Sequence, residues 1–127
     1  MNSREDVESL EKVIGQLQGL HSEMTALVKK SPSDAVNAFK LKLINKVLAA
    51  GNEVLGDKYR PFDEFSVLDS EDVPSTSDVA MILAQYMEEA ERYRSDSVRY
   101  HNGFWQYVVA GQPSGIRAGP PRKVMKK

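Results

Sequence analysis

The chain contains no cysteine. That excludes disulfides, thiolate zinc sites and a disulfide-stapled secreted scaffold. Long apolar runs are also missing, and none approaches the roughly 20 residues that a bilayer-crossing helix requires. The opening Met1-Asn2-Ser3-Arg4-Glu5-Asp6 is acidic and lacks the apolar stretch of a signal peptide, so a cytoplasmic location with no membrane partner is expected. Histidine is scarce: His21 and His101 stand far apart, with neither a His-x(3)-His nor a Glu-x-x-His spacing. No metal centre and no cofactor are therefore expected. A Gly-rich phosphate loop, a nucleophile elbow and a zinc signature are all absent, so no small-molecule ligand is expected either.

What is present suits one globular domain. The 127 residues are 41% hydrophobic and 28% charged, enough for a single modest core. The net charge of -1 hides an uneven distribution: residues 1–115 hold 12 Lys and Arg against 18 Asp and Glu. The last twelve residues hold Arg117, Arg122, Lys123, Lys126 and Lys127 and no acid. The body should repel polyanions, and nucleic acid is expected to associate, if at all, only through those five bases.

Apolar periodicity points to helices. Over residues 4–30, Val7, Leu10, Ile14, Leu17, His21, Met24 and Val28 follow a seven-residue rhythm, as in a coiled-coil seam, behind a capping Ser3. His21 is the polar member of that seam and suits a partly exposed bundle edge. Ser31-Pro32 marks a turn into a second helix reaching about Leu55, with Val36, Phe39, Leu43, Ile44, Val47 and Leu48 on its buried face and Gly56 as its stop. Residues 57–75 are acidic, yet Tyr59, Phe62, Phe65 and Leu68 are apolar enough to dock this loop on the bundle. Ser75-Thr76-Ser77-Asp78 caps a third helix, extended here to Val109, in which Leu83, Ala90, Ser97 and Phe104 recur every seven residues beside Tyr86, Tyr93, Tyr100 and Tyr107. Within it, Glu88 with Arg92 and Glu91 with Arg94 have the spacing of intrahelical ion pairs.

The expected fold is thus all-α: an antiparallel bundle of three long amphipathic helices, a packed acidic loop, and a helical domain over 1–112. Residues 113–127, rich in Gly and Pro, are expected as a flexible basic tail. A third helix of that length would outrun a domain of this size. It must either break near Asn102-Gly103 or be covered by another chain.

Arg94 and His101, with six residues between them, are similar to the Arg-x(4–6)-His motif of the HEPN ribonucleases. That resemblance covers two positions, with Ser95 where the family usually places a polar residue. It implies a small helical domain that cleaves RNA through its 2′-hydroxyl without a metal, the pair often coming from two subunits. On one helix, residues seven apart share a face, so the geometry of such a pair is permitted.

Two functional expectations follow. The first is a non-enzymatic helical interaction or assembly module, a small adaptor that pairs with itself or with another protein through Leu83, Tyr86, Ala90, Tyr93, Ser97, Tyr100, Phe104 and Tyr107. The alternative is the HEPN-like ribonuclease using Arg94 and His101.

Overall fold

A computed structural model describes residues 1–63 and 68–122. Three helices and one three-stranded antiparallel sheet follow one another along the chain: α1 (Arg4–Lys30), α2 (Ala38–Tyr59), α3 (Thr76–Asp96), then β1 (Val98–His101), β2 (Phe104–Val109) and β3 (Gln112–Arg117). The class is α+β, which corrects the all-α, coiled-coil bundle expected from the periodicity. Among the described residues no helix is long and apolar enough to cross a membrane.

The helix starts are set by local chemistry. Ser3 accepts the Asp6 amide at the start of α1, where Glu5 and Asp6 meet the positive end of the helix dipole; Lys29 and Lys30 meet the negative end. Ser75 and Asp78 exchange both bonds of a capping box at the start of α3. Asn37 caps α2, so that helix begins later than Pro32 suggests. The reason is that residues 31–36 satisfy their backbone across the chain instead. The Val36 amide donates to Pro74, the Thr76 amide to Asp34, and the Thr76 hydroxyl to Ser31. Near its other end, Gly56 leaves helical geometry with a φ of 64° and kinks α2 before its last turn.

Contacts fix the helix directions. Val13 of α1 lies against α2 at Gly51, and Glu23 reaches Lys40, so α1 and α2 are antiparallel. Tyr86 of α3 lies at the same Gly51, and Tyr93 stacks on Tyr59, so α2 and α3 run parallel. The crossover between them is carried by residues 60–75. Asn45 ties it down, accepting from the Leu68 amide and donating to the Leu68 carbonyl. Leu10, Leu17, Met24, Ile44, Leu48, Val79, Leu83 and Tyr86 fill the shared core.

The third helix stops at Asp96, not Val109. Residues 98–101 and 104–109 are rich in β-branched and aromatic side chains, and Asn102-Gly103 between them has φ values of 51° and 90°. Two successive positive φ values make the tight hairpin turn whose twist matches paired strands, and Asn-Gly is its best-suited dipeptide. The pairing sets Tyr100 opposite Trp105 and Val98 opposite Tyr107. A second two-residue turn, Ala110-Gly111, returns the chain as β3, in place of the flexible tail expected from residue 113. The sheet closes on the end of the bundle where α1 starts and α3 finishes: the Ala110 amide donates to Met1 and the Val108 amide to Ser97.

Deleting residues 113–127 removes β3 and the segment that follows it. The expected result is a fall in melting temperature of roughly 5 °C or more. Unchanged melting by circular dichroism would contradict the structural role given to this segment.

Candidate functional site

The residues expected to form an interface on the third helix are mostly turned inward. Leu83, Tyr86 and Ala90 are fully buried within this chain, and Tyr107 is nearly so. The Tyr86 hydroxyl donates to Asn52 at 2.7 Å. Tyr93 is half-buried and stacks on Tyr59 with ring centroids 4.7 Å apart. Ser97 is buried, its hydroxyl donating to the Tyr93 carbonyl. Phe104 is half-buried beneath the Arg117 guanidinium, and Tyr100 alone of the set is exposed, edge-on to Trp105. The four tyrosines do not share one helix: two lie on α3, one on β1 and one on β2.

Of the expected docking residues, Tyr59 closes α2 and donates to Asp96 at 2.6 Å, joining the ends of α2 and α3. Burial, then the hydrogen bond and charge of Asp96, push its phenol well above the ordinary tyrosine range. Phe62 tilts against Tyr86 and Leu68 is buried, while Phe65 lies outside the described residues. Lys123, Lys126 and Lys127 also lie outside them, and Arg117 and Arg122 are both exposed.

Arg94 and His101 stand on α3 and β1 respectively, and do not share one helix face. Arg94 is committed elsewhere. Its guanidinium makes a bidentate pair with Glu91 at 2.8 and 2.9 Å and donates to the carbonyls of Gly119 and Pro120 at 2.9 and 2.7 Å. Glu91 in turn accepts from the Ser95 hydroxyl and the Arg122 amide. The expected ion pair thus forms, and it clamps the segment after β3 onto α3. Half-buried His21 and exposed His101 sit on different elements, and among the described residues no cluster of three or more His, Cys, Asp or Glu could hold a metal ion.

The surface that stands out lies on α2. Its core side is formed by Leu41, Ile44, Leu48, Gly51 and Leu55, all buried. A second apolar stripe, Phe39, Leu43, Val47, Ala50 and Val54, follows helical spacing beside that face, its half-buried residues Val47, Ala50 and Val54 packing against the core edge. Phe39 is 70% exposed and Leu43 44% exposed, which corrects their expected burial. Val47, Ala50 and Val54 form one wall of an open groove of about 500 Å³ between α2 and α1, with Val13 and Gln16 on the other side. The stripe was missed because α2 was assigned a single buried face. The signal was its excess of apolar positions: Leu41, Ile44, Leu48 and Leu55 already complete one face without Phe39 and Leu43.

Comparisons of the chain with protein families, with curated proteins and with solved structures each found no match.

The clamp has a pH signature. Burial alone would raise the Glu91 carboxyl, but the hydrogen bonds from Arg94, Ser95 and the Arg122 amide, with the Arg94 charge, hold it below its ordinary value of 4.5. A depressed folded value means that this stabilisation is complete above the ordinary value and is lost as pH falls through and below it. The protection of the Ala118 and Arg122 amides, relative to their intrinsic exchange rates, should therefore fall below about pH 4.5, and Glu91→Gln should reproduce the effect at neutral pH. Protection that survives both changes would contradict the clamp.

Proposed function

We propose that this chain is a non-enzymatic assembly module that self-associates through the outer stripe of α2. The observation that carries the reading is the second apolar face of that helix, centred on exposed Phe39 and Leu43 and continuous with the α1–α2 groove. A helix with two apolar sides has more apolar surface than one domain covers, and burying a large side chain on association contributes about 1.5–3 kcal/mol.

The partner is a second copy, because the flank of the stripe is self-complementary. Lys42 and Lys46 border its first half, and Glu53 and Asp57 its second. An antiparallel pairing about a two-fold axis, with Leu43 opposite Val54 and Val47 opposite Ala50, brings like flanks together in reversed order. Each copy's lysines then lie beside the other's carboxylates. Isologous pairing of this kind is the commonest symmetry of soluble assemblies. A parallel arrangement would set this flank against the other side of the stripe and lose the pairing.

Sedimentation equilibrium tests this with two kinds of variant. Leu43→Glu should yield a monomer, while its own folding stability changes by no more than about 0.5 kcal/mol, as for other surface substitutions. Lys46→Glu and Glu53→Lys should each weaken association, and the double swap should restore it. A wild-type chain that stays monomeric at high concentration, or swaps that do not compensate, would overturn the reading.

A further inference from the structure

The charge of the chain changes sign where α3 ends. Residues 97–127 contain Arg99, Arg117, Arg122, Lys123, Lys126 and Lys127 and not one Asp or Glu, while every acid in the chain lies before residue 97. The same stretch holds Tyr100, Phe104, Trp105 and Tyr107. The sheet is therefore a basic, aromatic unit attached to an acidic helical body.

Strand pairing sorts these side chains into two faces, because directly opposed residues share one. Tyr107 is buried and its phenol feels the charges of Glu11 on α1 and Arg94 on α3, so the face it shares with Val98 turns toward the helices. The opposite face carries a row across all three strands, Arg99–Gln106–Arg117, and beside it the pair His101–Phe104. Arg99, His101 and Arg117 are exposed. The Arg117 guanidinium lies 4.8 Å from the Phe104 ring centroid, a cation–π arrangement.

Gln106, the middle residue of that row, is buried between its neighbours and stiffens the platform. Its carboxamide donates to the His101 carbonyl at 2.8 Å and accepts from the Gly115 amide at 2.8 Å, so the central strand holds both neighbours in register. Neighbouring strands lie about 4.8 Å apart, which sets the backbones bearing Arg99 and Arg117 roughly 10 Å apart, with Phe104 on the strand between them.

We infer that this outward sheet face, Arg99, His101, Phe104 and Arg117, binds single-stranded nucleic acid. Arg99 and Arg117 meet phosphates, and a base stacks on the Phe104–Arg117 plane. Cations alone would suit any polyanion. The stacked aromatic–guanidinium surface is what favours a nucleic acid over an acidic peptide, since every base presents a π-face and a carboxylate side chain does not. The surface is separate from the α2 stripe, so this inference stands or falls independently of self-association.

The test is fluorescence anisotropy of the full chain with labelled oligo-dT and oligo-U of about twelve nucleotides, alongside a labelled oligo-glutamate peptide. Binding of the oligonucleotides is expected at low salt, with a log–log salt slope near about -1.4 for two neutralised single-strand phosphates. Arg99→Glu with Arg117→Glu should abolish it, and Phe104→Ala should weaken it by about tenfold or more. Phe104→Leu keeps an apolar side chain in the strand, and it should weaken binding with no loss of sheet signal in circular dichroism. Removing residues 123–127 should leave the Phe104 effect in place. Absence of oligonucleotide binding, equal affinity for oligo-glutamate, or binding insensitive to both Phe104 variants would overturn the inference.

Discussion

Tyr86 meets α2 at Gly51, where that helix has no side chain to keep it away. A Cβ on Gly51 would stand 3.4 Å from the Tyr86 ring and 3.8 Å from Val13, so a larger residue there would press on α3 and α1 together. The Tyr86 hydroxyl finds Asn52 one residue further along α2, and Phe62 from the crossover tilts over the ring. Helix α1, helix α2, helix α3 and the crossover thus converge on a single aromatic group that is fully buried and hydrogen-bonded. A buried phenol without its partner would cost about 1–3 kcal/mol, so the node depends on Asn52. Its consequence for function is directional. By drawing the core side of α2 inward at Gly51, it leaves Phe39 and Leu43 exposed, with half-buried Val47, Ala50 and Val54 along the groove beside α1.

The sheet depends on the same bundle through a different bond. The carboxylate of Glu91 and the guanidinium of Arg94 bind one another and then bind the chain after β3, so the terminal segment is tied to α3 by charge-assisted hydrogen bonds. Together with Tyr107 packed toward α1 and α3, this presents the opposite face of the sheet outward. One surface of the molecule is therefore apolar and borne on α2, and the other is basic and borne on the strands. The proposed association through the first would leave the second unoccupied.

The helical half of this architecture was legible because its signals are local. Ser3 and Ser75 with Asp78 act through bonds within a few residues, Gly56 through its own backbone, and the Glu88–Arg92 and Glu91–Arg94 pairs form as their spacing predicts. The strands were not legible, for a specific reason. Tyrosines at 86, 93, 100 and 107 repeat every seven residues by coincidence, and that rhythm outweighed the β-branched and aromatic content on either side of Asn102-Gly103. Asn-Gly between such runs is a hairpin signal stronger than any heptad two repeats long. The α2 stripe was hidden by a different effect. Periodicity shows that apolar residues recur on a helix, but only the packed structure shows which of two stripes faces the core.

In the proposed dimer two copies meet through α2, with their axes antiparallel and their midpoints close together. The absence of cysteine makes a direct distance measurement clean, because a single Ala49→Cys carries the only spin label in the molecule. Ala49 is exposed and adjoins the expected two-fold axis without belonging to the stripe. Double electron–electron resonance should then give one short inter-copy distance, set by helix axes about 8–10 Å apart plus the label arms, and a longer one when the label is moved to Gly103. No dipolar coupling from Ala49, or a shorter distance from Gly103 than from Ala49, would contradict the account.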